Sequence, residues 1–109
     1  MKFQVVFLSS AEHDLKALRS YIVKNFGQDT WQASYSKIKE TVNTIRTFPL
    51  QGGIPGEIQR LNLTQYHQMI SGMNRIIYEI RQETIFIHII CDTRKDMRSL
   101  LMSRLLSAI

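Results

Sequence analysis

Three β-rich runs in the last third of the chain, parted by breaks of only three residues, set the narrowest limits on the fold. They are Tyr66-His67-Gln68-Met69-Ile70-Ser71, Arg75-Ile76-Ile77-Tyr78-Glu79-Ile80 and Thr84-Ile85-Phe86-Ile87-His88-Ile89-Ile90-Cys91. β-Branched and aromatic side chains of this density suit a pleated, half-buried surface. Gly72 and Asn74 tolerate positive φ, and Gln82-Glu83 makes a tight polar break. Links this short join only antiparallel neighbours, so the pattern predicts a three-strand meander. It runs into Asp92-Thr93-Arg94-Lys95-Asp96, a charged exit where function is expected to sit.

Such a meander needs cover, and the first half of the chain offers it. Phe3, Val5 and Phe7 alternate with Lys2, Gln4 and Val6, predicting a first strand of about seven residues with one face inward. Ser9, with Glu12 three residues on, fits a capping box that opens a helix. Leu15, Leu18, Ile22 and Phe26 form its apolar stripe, and Gly27 supplies a left-handed stop. A second helix is predicted from about Thr30, its stripe carried by Trp31, Tyr35, Ile38, Val42 and Ile45. So short a link implies an antiparallel helical hairpin. The stripe could serve a dimer seam or a membrane surface, but the strands have no other cover, so packing on the chain's own sheet is expected.

Pro49 disfavours helix at Phe48, and residues 50–57 are too rich in glycine and proline for regular structure, which reads as a surface loop. That loop lacks the Gly-Lys-Ser/Thr ending of a phosphate-binding loop. Ile58 to Leu63 reads as a short extended segment. Asp96 is placed to cap a last helix whose stripe runs through Met97, Leu101 and Leu105, beside Leu100 and Met102. That helix either folds back on the sheet or awaits a partner. The expected fold is therefore α+β, in the order β-α-α-β-β-β, a helical hairpin packed on a small antiparallel sheet with a C-terminal helix.

The 109 residues suffice for one domain, spanning 1–109, and ordinary hydrophobic (44%) and charged (21%) fractions argue against disorder. No apolar run approaches the roughly 20 residues that cross a bilayer, and Met1-Lys2-Phe3-Gln4 is too polar for a signal peptide, so no membrane partner and a cytosolic location are expected. The lone Cys91 reads as a small buried hydrophobe rather than a reactive thiol. His13, His67 and His88 lack metal-site spacing, so neither a metal nor another cofactor is expected. The formal charge of +5 favours an acidic partner such as nucleic acid, a ribosome or an acidic protein segment.

The order of these elements resembles the RelE/ParE toxin superfamily over nearly the whole chain. The resemblance is carried by Phe3 to Leu15, by Phe48-Pro49 with Gly52-Gly53 after it, by Gly72-Met73-Asn74-Arg75-Ile76-Ile77-Tyr78-Glu79-Ile80, and by Arg94-Lys95-Asp96-Met97, which is similar to the exit of the ParE-like branch. It implies the toxin of a type II toxin-antitoxin system, which arrests growth, stabilises plasmids and is neutralised by a cognate antitoxin. Operator DNA would be met only through that antitoxin. Leu15, Leu18, Ile22, Leu101 and Leu105 are the expected antitoxin contacts.

Two activities belong to the resemblance. The RelE-like branch cleaves messenger RNA on the ribosome, and Glu57, Arg75, Arg94 and Lys95 are the candidates for that chemistry. The expected acid is missing, however: no His or Tyr follows His88, an arginine is a poor general acid, and Lys95 would need a strongly lowered pKa. The ParE-like branch inhibits DNA gyrase by binding and needs no catalytic set, so Arg75, Arg94, Lys95 and Arg98 become target contacts. This second reading is favoured. A bland alternative makes Arg94, Lys95 and Arg98 a solvated helix start paired with Asp92 and Asp96, Arg75 a cross-strand partner of Glu79 or Glu83, and His88 an ordinary sheet residue. A further alternative is a non-toxic co-repressor that only binds its antitoxin.

Overall fold

The computed structural model describes residues 3–59, 65–94 and 96–107, the side chains of 57, 58, 97 and 105–107 excepted. β1 (Gln4–Phe7) leads into α1 (Ser9–Phe26), and Gly27 separates this from α2 (Gln28–Thr47). A 3-10 turn (Pro49–Gln51) and a one-turn helix α3 (Gly56–Gln59) precede β2 (Tyr66–Ser71), β3 (Asn74–Arg81) and β4 (Thr84–Asp92), and α4 (Met97–Ser107) comes last. The sheet order is β1-β4-β3-β2. The predicted meander is present, its strands antiparallel. β1 joins its β4 edge in parallel, because two helices carry the chain back across one face before β2 begins, so the sheet is mixed.

Each face of that sheet is covered. On one, Ile76, Tyr78, Ile85, Ile87 and Ile90 meet Ala11 of α1 and Ile38, Val42 and Ile45 of α2, with Phe3, Val5, Phe7, Leu15 and Leu18 packed around them. On the other, Tyr66, Ile77 and Ile89 lie under Leu101. The last helix thus folds back, since the isoleucines of the second face would otherwise stay wet. Asp96 caps it, its Oδ1 accepting from the Ser99 N–H at 3.3 Å and its Oδ2 from the Ser99 hydroxyl at 2.8 Å. Those bonds hold the Asp96 carboxyl below its usual range.

Several local expectations are corrected. The Ser9–Glu12 capping box does not form: α1 begins at Ser9, its N-cap is Leu8, and no side chain caps it. The ladder bond from Leu8 N to Ile87 O (3.1 Å) carries β1 directly into the helix. Ser10 instead donates its hydroxyl to His88 O at 3.3 Å. The second helix starts at Gln28 because Gly27, at φ 98°, both ends one helix and begins the next. Phe26 is exposed, edge-on to the equally exposed Tyr21. β1 has four residues rather than seven, and the stretch after Phe48 holds the 3-10 turn and α3. Ile58 belongs to α3 rather than to an extended segment, and residues 60–64 lie outside the described residues.

The turn after α2 is fixed by a buried tyrosine. The Tyr78 hydroxyl donates to Pro49 O at 2.6 Å, beneath Gly52. A Cβ on Gly52 would stand 2.3 Å from the Tyr78 Oη and 2.5 Å from Gln68 O. We expect Gly52→Ala to cost about 1–3 kcal/mol through that overlap. Tyr78→Phe should cost about 1–3 kcal/mol by orphaning a buried carbonyl. Urea midpoints at unchanged slope would measure both.

Candidate functional site

β3 is buried from Asn74 to Glu79, and its polar members Arg75 and Glu79 point to the face under α4, where they must find partners. Arg75 reaches diagonally to β2, its Nε and Nη2 donating to Gln68 Oε1 at 2.9 and 2.6 Å. This partner was not foreseen, because Gln68 follows from the strand register: Ile70 lies opposite Arg75, and Gln68 is two residues along on the same face.

Glu79 anchors a second cluster. Its carboxylate takes Arg81 Nη2 at 3.0 Å and His88 Nε2 at 2.9 Å, while the Tyr66 ring stands edge-on to His88 at 5.1 Å. His88 reaches this position through a bulge. Ile77 pairs with Ile89 and Tyr78 with Ile87, which leaves His88 as the extra residue of β4. Burial works against ionised Glu79, but hydrogen bonds from Arg81 and His88 outweigh it and hold the carboxyl below its ordinary 4.5. Glu79 and Arg81 on one face are legible from strand alternation. Their union with His88 is not, since the bulge has no sequence signature.

The bulge also frees backbone groups, which two other charges take up. Arg104 of α4 donates Nη1 to His88 O at 3.0 Å and Nη2 to Asp14 Oδ1, while Asp14 Oδ2 accepts from Ile90 N at 3.0 Å. One ion pair between residues 90 positions apart thus fastens α1 and α4 to the stretch of β4 that extends past β1.

The basic exit is partly self-satisfied. Arg94 forms a two-pronged pair with Asp92, Nε to Oδ1 at 2.9 Å and Nη2 to Oδ2 at 3.1 Å, yet its side chain is 78% exposed. Arg98 is exposed on the first turn of α4, and Thr93 N bonds Met73 O at 2.9 Å, so the exit adjoins the exposed Met73 of the β2–β3 turn. The expected cluster of Arg75, Arg94, Lys95 and Arg98 therefore divides into a buried Arg75 and an open rim with Arg94 and Arg98. Lys95 and the Glu57 side chain lie outside the described residues. Of the expected antitoxin contacts, Leu101 (1% exposed) and Ile22 (8%) are buried within the chain. Leu15 and Leu18 are half-buried, and the Leu105 side chain lies outside the described residues. Burial pushes the Cys91 thiol up to about 11, which makes it a poor nucleophile.

Among the described residues no group of three His, Cys, Asp or Glu could hold a metal ion, and no helix is long and apolar enough to cross a membrane. The family model for the ParE toxin of the type II toxin-antitoxin system, parDE, matches residues 5–97. Among solved structures, the chromosomal ParDE toxin-antitoxin system of Pseudomonas aeruginosa is similar, with a TM-score of 0.69 at 18% identity, over 84% of this chain and 96% of that one. The toxin-antitoxin complex RelBE2 of Mycobacterium tuberculosis is similar with a TM-score of 0.60 at 20% identity, over 84% and 99%. At these identities both likenesses are likenesses of fold. No curated protein matches the chain significantly.

Two substitutions probe these networks. Asp14→Ala strips partners from Arg104 and from the Ile90 amide, and should cost about 2–3 kcal/mol in a urea titration. Glu79, with its lowered pKa, stabilises the fold above its ordinary 4.5 and loses that contribution as pH falls through the lower folded value. The melting-temperature gap between wild type and Glu79→Gln should therefore be widest near neutrality and narrow as pH drops below about 4.5.

Proposed function

The chain belongs to the ParE toxin family of type II toxin-antitoxin systems, and from that premise we propose that it arrests growth by binding DNA gyrase in the cytoplasm, without catalysis, until a cognate antitoxin neutralises it. The observation that carries this reading is the state of Arg75. A strand arginine meant for a scissile phosphate must meet solvent, whereas Arg75 is buried, 6% exposed, with its guanidinium engaged with Gln68. Arg94 and Arg98 are open, and a basic rim of that kind suits an acidic protein surface or DNA beside it. The Arg94–Asp92 pair holds the arginine side chain in place without burying it, so it can be exchanged for a partner's carboxylate or phosphate at little cost.

A specific observation favours a second reading, ribosome-dependent cleavage of messenger RNA. Glu79 and His88, 2.9 Å apart beside Arg81, are a carboxylate and an imidazole next to a cation, the residue types that proton transfer at a phosphodiester requires. Both are largely buried, with side-chain exposures of 10% and 15%, and the contacts to Arg81 and Tyr66 account for them as structure.

Induction of the protein without a partner should halt bacterial growth, and the purified chain should reduce supercoiling by gyrase or trap cleaved DNA. Arg94→Ala combined with Lys95→Ala should abolish toxicity, whereas Glu57→Gln should leave it within about twofold. Unimpaired supercoiling together with codon-position cuts in ribosome-bound message would assign the nuclease activity instead. Normal growth with the folded protein present would indicate a co-repressor.

A further inference from the structure

On the reading that the chain acts on DNA gyrase, we propose that the end of the sheet at which β4 exits binds single-stranded DNA. Lys37, Arg94 and Arg98 take its phosphates, and the ring of Tyr21 stacks on an unpaired base.

Elements that lie far apart in sequence converge at this end. α1 runs beside β4 in the same direction: the Ser10 hydroxyl meets His88 O at 3.3 Å, and Asp14, one turn on, meets Ile90 N at 3.0 Å. Four residues of helix rise about 6 Å and two residues of strand span about 6.6 Å, so the two stay in step, and α1 reaches the exit of β4 at Tyr21. Asp92, by hydrogen bond and by charge, raises the Arg94 pKa above its ordinary value, and Tyr21 adds to the effect, which places the phenol within electrostatic reach of that guanidinium. Arg98 follows on the first turn of α4. On the other flank, Thr93 N bonds Met73 O at 2.9 Å. The Lys37 side chain of α2 lies against the same β2–β3 turn, its Cδ 3.8 Å from where a Cβ on Gly72 would stand.

These side chains are open to a ligand. Tyr21 is 55% exposed and lies off the apolar stripe of α1, and Phe26 touches it edge-on, with ring centroids 6.1 Å apart, without covering it. Lys37 and Arg98 are exposed, and neither forms an ion pair among the described residues. Asp92 and Asp96, the carboxylates of the same stretch, are taken up by Arg94 and by the Ser99 cap. An acidic protein surface would use the cations and leave the ring idle. A nucleic-acid strand uses both, its phosphates for the charges and the π-face of any base for the ring. Duplex DNA hides those faces in its stack, so the ring selects an unpaired strand. The net charge of +5 draws such a strand in.

The test measures binding of the full chain to a fluorescent oligothymidylate of about twelve nucleotides, a length within the range of single-strand sites. Affinity should fall with salt along a log–log slope of about −2, three phosphates at about 0.7 each. Lys37→Ala and Arg98→Ala should each reduce that slope by about 0.7. Tyr21→Leu should lower affinity about five- to 150-fold with the slope unchanged, and Tyr21→Phe, which keeps the ring, should stay within about twofold of wild type. Tyr21→Leu should also weaken inhibition of gyrase supercoiling. A wild-type chain that binds no oligonucleotide, or binds duplex of the same length equally well, overturns the site, as does wild-type affinity in folded Tyr21→Leu; if that variant does not fold, the duplex comparison decides. Tighter binding of polyglutamate, unaffected by Tyr21→Leu, would make the rim a docking surface for acidic protein instead. Preference for oligouridylate RNA overturns DNA as the ligand. Supercoiling inhibited alike by wild type and Tyr21→Leu overturns the DNA site alone, whereas supercoiling untouched by wild type overturns the gyrase reading beneath it.

Discussion

A sheet with isoleucine on both faces cannot be left half-covered, and most of this structure follows from that constraint. From Asn74 to Glu79 the central strand has no exposed side. Burial of each apolar side chain is favourable by about 1.5–3 kcal/mol, enough to recruit two helices to one face and α4 to the other. Covering both faces then traps polar residues, and each needs a partner. Arg75 finds Gln68 and Glu79 finds Arg81 and His88; both arrangements are consequences of enclosure.

The bulge in β4 turns this enclosure into a joint. One additional residue moves His88 onto Glu79 and releases its carbonyl, and Ser10 and Arg104 converge on that carbonyl from different helices. Asp14 completes the joint by holding Arg104 and the Ile90 amide together. The last helix is therefore fixed at one point by packing through Leu101 and at another by charge through Arg104.

What remains for partners is what the core does not use. The rim with Arg94 and Arg98 lies at the exit of β4, and β1, the edge strand beside β4, has next to it a groove lined by Phe7, Leu15, Tyr35, Ile38 and Val42.

The strands of the meander, the helical hairpin and the cap at Asp96 could be read from sequence, because each depends on neighbours in the chain: alternation, a 3.6-residue stripe, a glycine at positive φ, a carboxylate ahead of an amide. So could the exposed state of Arg94 and Arg98, which belong to a polar, charged exit. Other features required partners that sequence distance hides. Parallel pairing of β1 with β4 joins Gln4 to Thr84, the Asp14–Arg104 pair spans 90 residues, and the bulge at His88 arises only when Ile77 and Tyr78 choose partners two apart on β4. Local preference set which elements form. Closure of long loops by burial and by satisfied charge decided where they met, and so which arginines were spent inside and which were left open.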